Sequence, residues 1–108
     1  MIPKPGAPAR GSRTGRPVMV LLDLLGRRMA LRILWELWRA DAPMTFRELQ
    51  SAAETNPALL NVRLKELRVA RLVAHEAGGY TLAEEGRSLM AALLPIGDWA
   101  AKWAARRG

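Results

Sequence analysis

The sequence has no cysteine, and only one histidine, one tyrosine and one phenylalanine. Without thiols, disulfides, thiolate zinc sites and thiol redox switching within this chain are excluded. The lone histidine, His75, has no companion ligands for zinc, and Ser12, Ser51 and Ser88 stand in no nucleophile-elbow context. No catalytic residue, metal site or cofactor is therefore expected, and an enzyme is not the reading. Long apolar runs are missing too. The nearest, residues 18–25, is eight residues interrupted by Asp23, and the opening MIPKPG lacks the run of a secretory signal. The expectation is a soluble protein of the cytoplasm. Acid is in short supply: 17 Lys and Arg face 10 Asp and Glu, leaving +7. Such a field favours nucleic acid or another anionic partner.

What is present is apolar for half its length, enough in 108 residues for one domain with a modest core that a stable dimer would help. The informative stretch is residues 44–82. Thr45 followed by Glu48 is a capping box, flanked by Met44 and Leu49 as a hydrophobic staple, so a short helix is expected over 45–53. Glu54-Thr55-Asn56 interrupts it. Asn56 can then accept from unpaired backbone N–H groups, and Pro57 suits the first position of a second helix, expected over 57–71. Along it Leu60, Leu64 and Leu67 share one face, while Asn61, Lys65 and Arg68 share another. Residues 72–76 read as a strand, Ala77-Gly78-Gly79 as a turn and Tyr80-Thr81-Leu82 as the returning strand. Two capped helices followed by a hairpin over 72–82 are the order of a winged helix-turn-helix. The fold class is mostly α with that small β-hairpin as its wing.

Residues 1–17 hold four of the seven prolines and three of the nine glycines, with Lys4, Arg10, Arg13 and Arg16 and no acid. The composition is that of a disordered basic arm, which either follows DNA phosphates, enters a minor groove, or only solubilises the chain. The domain proper is then 18–108. Residues 18–25 read as a first helix, Gly26 with Arg27-Arg28 as a junction assigned to solvent, and a longer helix ends near Ala40, before Pro43. In that longer helix Arg32, Glu36 and Arg39 form a narrow polar stripe, and Leu31, Leu34, Trp35, Leu37 and Trp38 crowd the rest, so it is expected to be covered on most sides. Trp35 and Trp38 are assigned to the core rather than to a ligand platform. Over 84–106, Leu89, Leu93, Ile96, Ala100 and Trp103 recur at spacings of four and three, the period of a packed helix pair, with Trp99 beside them. These six residues are the expected dimer interface, and Pro95 is expected to kink or divide the helix.

The chain resembles the HxlR family of bacterial winged-helix transcriptional regulators, relatives of the MarR type, over roughly residues 18–103. The resemblance is carried by Leu24-Leu25-Gly26 leading into Leu31-Arg32-Ile33-Leu34-Trp35-Glu36-Leu37, and by Met44-Thr45-Phe46-Arg47-Glu48-Leu49. Asn56-Pro57-Ala58-Leu59-Leu60-Asn61-Val62-Arg63-Leu64-Lys65-Glu66-Leu67 and the junction from Tyr80-Thr81-Leu82 to Gly86-Arg87-Ser88-Leu89 complete it. It implies a homodimer whose terminal helices pair the subunits and whose recognition helices enter successive major grooves. Ala83 stands where the family has a helix-capping Thr, Met29 where a Trp is usual, the hairpin is several residues shorter, and the sensor cysteine of many relatives has no counterpart.

The leading expectation is a sequence-specific DNA-binding regulator acting as a homodimer. A winged-helix protein-interaction module and a non-specific architectural DNA binder are the alternatives. Asn56, Ala58, Asn61 and Val62 lie at the end of the helix that faces bases in this motif, with Asn61 suited to adenine. Arg63, Lys65 and Arg68, with His75 on the wing and Arg10, Arg13 and Arg16 on the arm, are assigned to phosphates or the groove beside them.

Overall fold

The structure, a computed structural model, describes residues 16–107. Most of the expected basic arm therefore lies outside the described residues. Helix α1 (Pro17–Leu25) begins one residue earlier than expected because Pro17 occupies its first position, where a missing N–H costs nothing. Then follow α2 (Ala30–Arg39), α3 (Phe46–Ala53), α4 (Pro57–Val69), strands β1 (Val73–Glu76) and β2 (Gly79–Leu82), α5 (Glu84–Leu93) and α6 (Pro95–Arg107).

Both helix starts in the middle of the chain form as their sequence dictates. The Glu48 N–H donates to Thr45 Oγ1 at 3.1 Å and the Thr45 N–H donates to Glu48 Oε1 at 2.9 Å, closing the capping box. The backbone N–H of Thr45, and then its hydroxyl, hold the Glu48 carboxyl below the usual carboxylate range. Glu54 in a left-handed conformation ends α3. Asn56 Oδ1 accepts from the Leu59 N–H at 2.8 Å and starts α4. That helix stops at Val69 rather than Arg71, because Arg71 turns left-handed at φ 64° and the Leu72 N–H returns to the Leu67 carbonyl at 2.9 Å.

The core sits where α2 meets α3, β2 and α5. Ile33 and Leu34 of α2, Leu49 of α3 and Leu60 and Leu67 of α4 are fully enclosed, joined by Val73, Leu82 and Met90. One expectation for α2 fails. Leu31 and Trp35 are 46% and 43% exposed, so the helix has an open apolar side, and only Trp38 of the two tryptophans packs on the core. The reason is geometric: α1, α5 and α6 stand around that side without closing over it. The polar stripe is as expected, with buried Glu36 accepting from Arg32 Nε at 2.8 Å and lying 3.8 Å from Arg39 Nη1.

The hairpin pairs Val73 with Leu82 and Glu76 with Gly79 around the two-residue turn Ala77-Gly78. Met44 adds a rung on the other side, its N–H donating to the Tyr80 carbonyl at 2.9 Å and the Tyr80 N–H to the Met44 carbonyl at 2.7 Å. Gly79 is required there: φ is +127°, and a Cβ would lie 2.3 Å from the Met44 oxygen. Ala83 starts α5 with no side-chain cap, and Pro95 divides the expected terminal helix into α5 and α6.

Candidate nucleic-acid interface

Helix α4 is two-sided. Leu60, Leu64 and Leu67 are buried, and Ala58, Asn61, Val62, Lys65 and Arg68 are exposed, so the apolar anchor fixes the orientation of the polar face. Asn56 stands at the head of that face, with its side-chain oxygen accepting from the Leu59 N–H. Lys65 and Arg68 continue along α4 to a shallow groove that they share with Val73, Ala74 and His75 of β1. His75 is exposed and its ring stacks flat on Tyr80, 4.0 Å between centroids and 3° between planes. Phe46 is tilted against the other aromatic of that pair at 6.5 Å. Tyr80 and Phe46 were not among the expected site residues. Their signal, an aromatic in the return strand and another just after the Thr45 cap, is legible only once the hairpin is known to pack on α3.

Arg63 lies on a different side of the helix. It is half-buried, its Nε donating to the Arg28 carbonyl at 2.8 Å and its Nη1 to Glu66 Oε1 at 3.1 Å. Arg27 corrects the sequence reading outright. Its side chain is 8% exposed rather than solvated, with Nη1 donating to Glu66 Oε2 at 2.5 Å and Nη2 to Asp23 Oδ2 at 3.2 Å. A guanidinium between two carboxylates gains enough to leave water; the Glu66 carboxylate is 39 residues away in sequence and so invisible to local pattern. Arg28, by contrast, is exposed. Arg16 is exposed at the start of α1, its carbonyl accepting from Met19 and Val20, while Arg10 and Arg13 lie outside the described residues.

Away from α4, Leu22 and Leu25 of α1, Leu31 and Trp35 of α2, Leu93 of α5 and Ile96 of α6 line an apolar groove of about 510 Å³. Of the expected interface residues, Leu89 and Leu93 are half-buried against their own core, and Ile96, Trp99, Ala100 and Trp103 are exposed. Trp99 and Trp103 stack at 5.9 Å, and the Arg107 guanidinium sits 5.4 Å from the Trp103 ring. Leu22, Leu31 and Trp35 were missed as part of this face. Leu31 and Trp35, four apart on α2, carried the signal, but a local reading places such residues in the core.

Residues 20–93 match the family model described as "Domain of unknown function (DUF7347)". Among solved structures, the quinone-bound YodB from B. subtilis is 30% identical, with a TM-score of 0.71 and a match covering 79% of this chain and 96% of that one. The chain belongs to the DUF7347 family and is an HxlR-type winged-helix regulator. A possible HxlR family transcriptional factor from Thermoplasma volcanium GSS1 shares the fold of this HxlR-type protein at 24% identity and a TM-score of 0.70, covering 79% of this chain and 82% of that one. No curated protein matches the chain. Among the described residues of this HxlR-type chain, no helix is long and apolar enough to cross a membrane.

Proposed function

We propose that the protein is a sequence-specific, DNA-binding transcriptional regulator that acts as a homodimer in the cytoplasm, each subunit presenting α4 to the major groove. The observation that carries this reading is the two-sidedness of α4. Its leucines fix it to the core while Asn61, Lys65 and Arg68 stand exposed along the other side, beside a wing that carries His75. Asn61 can pair bidentately with adenine, and Ala58 and Val62 are small enough to let the helix approach base edges. Lys65 and Arg68 then meet phosphates, with His75 on the wing beside them. Arg63 is left out of this assignment because it lies on another side of the helix, with its Nε and Nη1 donating to the Arg28 carbonyl and to Glu66.

The homodimer is supported by α6, which buries none of its residues in its own subunit, and by the apolar groove beside it. A helix of thirteen residues has little stability of its own in water. A second copy that covers the groove would supply the missing contacts to both subunits at once.

The test is binding-site selection from random duplexes, followed by affinity measurements for Asn61→Ala. The substitution is expected to relax preference at one position of the half-site by about 1–3 kcal/mol, with little change in affinity for unrelated duplex. Unchanged preference and affinity would exclude Asn61 as a reader. Competition by unrelated duplex as effective as by the selected site would favour the architectural alternative instead.

A further inference from the structure

One short segment faces two ways. Leu22, Leu25 and Gly26 line the apolar groove. Asp23 and Arg27, interleaved with them, turn the other way: Asp23 pairs with Arg27, and Arg27 reaches Glu66 in the middle of α4. The chain of contacts is continuous: Asp23 Oδ2 accepts from Arg27, Arg27 donates to Glu66 Oε2, and the other Glu66 oxygen accepts from Arg63, whose Nε returns to the carbonyl of Arg28. Asp23, Arg27, Glu66 and Arg63 have side chains only 8–16% exposed. The Nε of Arg27 is buried without a partner, so the guanidinium is placed for its two carboxylates at some cost.

Such a cluster is poor material for stability, because desolvating four charged groups offsets most of their attraction. It is good material for fixing geometry, since a planar guanidinium donating to two carboxylates from separate nitrogens tolerates few arrangements. On the reading of the previous section, the two things that must keep a fixed relation are the dimer face and the recognition helix, and this cluster joins them. We propose that Arg27 and Glu66 are positioning residues that set the angle of α4 against the dimer-forming α1 corner, and through it the half-site spacing the dimer accepts. Neither residue touches DNA in this arrangement; they act through α4.

The chain has no cysteine of its own, so Val69→Cys, exposed on α4, gives one spin label per subunit. Electron–electron double resonance on the full-length protein then reads the separation of the two α4 helices without DNA. Alongside it, affinity is measured for the selected operator and for operators with one base pair added or removed between half-sites. The variants are Arg27→Lys, which keeps the charge and loses the fork, and the apolar pair Arg27→Met with Glu66→Leu, which removes both partners of the central ion pair together and leaves Asp23 and Arg63, 11% and 16% exposed, each short of one contact. Both are compared at matched folding and dimerisation, judged by circular dichroism and sedimentation. The expected result is a wider or displaced distance distribution in both variants, and a loss of about tenfold in discrimination between spacings, the scale of one mismatched base pair. If Arg27→Lys does not fold, the apolar pair alone carries the test, and if the pair does not fold, Glu66→Gln replaces it. An unchanged distance distribution in folded dimeric variants overturns the proposal even if the protein binds DNA specifically. A wild type that is a dimer without DNA preference sinks the functional reading but leaves the distance measurement decisive. A monomeric wild type overturns both.

Discussion

The absence of one methyl group settles how α5 leaves the wing. A Cβ on Gly86 would lie 2.0 Å from the carbonyl oxygen of Leu72, a backbone atom whose position is fixed because it also accepts from the Ala83 N–H at 3.0 Å. Gly86→Ala is therefore expected to destabilise the fold by about 1–3 kcal/mol, although alanine is the better helix former, and chemical denaturation would read it. A midpoint as high as that of the wild type would mean that α5 can slide away from β1 at no cost. Two residues of α4 show where single-residue reading from sequence stops. Asn61 and Arg63 are both polar, both on α4, and separated by about 200° of helical turn, so one faces outward and the other faces the α1 corner. Periodicity alone put Asn61 on a different face from the leucines. It could not show that Arg63 would find Arg28, because that contact spans 35 residues. Arg27 was misread for the same reason, its decisive partner being a carboxylate on another helix.

At the scale of elements, the starts of α3 and α4 were legible and the stop of α4 was not. Thr45 with Glu48, and Asn56 with Pro57, are local chemistry, and both helices begin where those residues dictate. The end of α4 depends on a left-handed residue, for which sequence reading looks for glycine or asparagine, and here it is Arg71. Helix α5 is the weakly started one. Ala83 occupies the cap position with no side-chain hydrogen bond, although Glu84 and Glu85 in the first turn suit the helix dipole. Ala83→Ser is expected to add about 1 kcal/mol, and at fixed protein concentration a rise in Tm of about 4–8 °C would show it. No rise would indicate that the wing holds the first turn of α5 closed already. The split between α5 and α6 was legible in Pro95. The open side of α2 was not, because hydrophobicity marks a residue for burial without saying whether its own chain does the burying.

For the molecule as a whole, the two exposed faces differ in chemistry, one polar and cationic along α4, the other apolar along α6 and its groove. Ile96 is 58% exposed in the single chain and lines the groove, so a charge there leaves the core of the subunit untouched. Ile96→Glu is accordingly expected to give folded monomers at concentrations where the wild type is dimeric, with tight operator binding lost, because a carboxylate without a partner resists burial. Sedimentation showing a dimeric variant would exclude the groove as the interface. Lys4, Arg10 and Arg13 add cations ahead of α1. If they lie along DNA, removing residues 1–15 will reduce the slope of log K against log salt by up to about 0.9 per phosphate released, while the selected sequence stays the same. A truncated protein with the full-length slope would make that segment a bystander.

Helix α4 thus has three sides with three obligations: leucines to the core, Arg63 and Glu66 to the α1 corner, and Asn61 with its neighbours to the outside. Change in target sequence is thereby separated from change in fold. Substitutions at positions 58, 61, 62, 65 and 68 alter what the helix meets without disturbing what holds it, so a lineage of such proteins can drift from one operator to another while the scaffold stands still. The same partition makes this helix suitable for retargeting by design, with those five outward positions varied and the remaining eight kept.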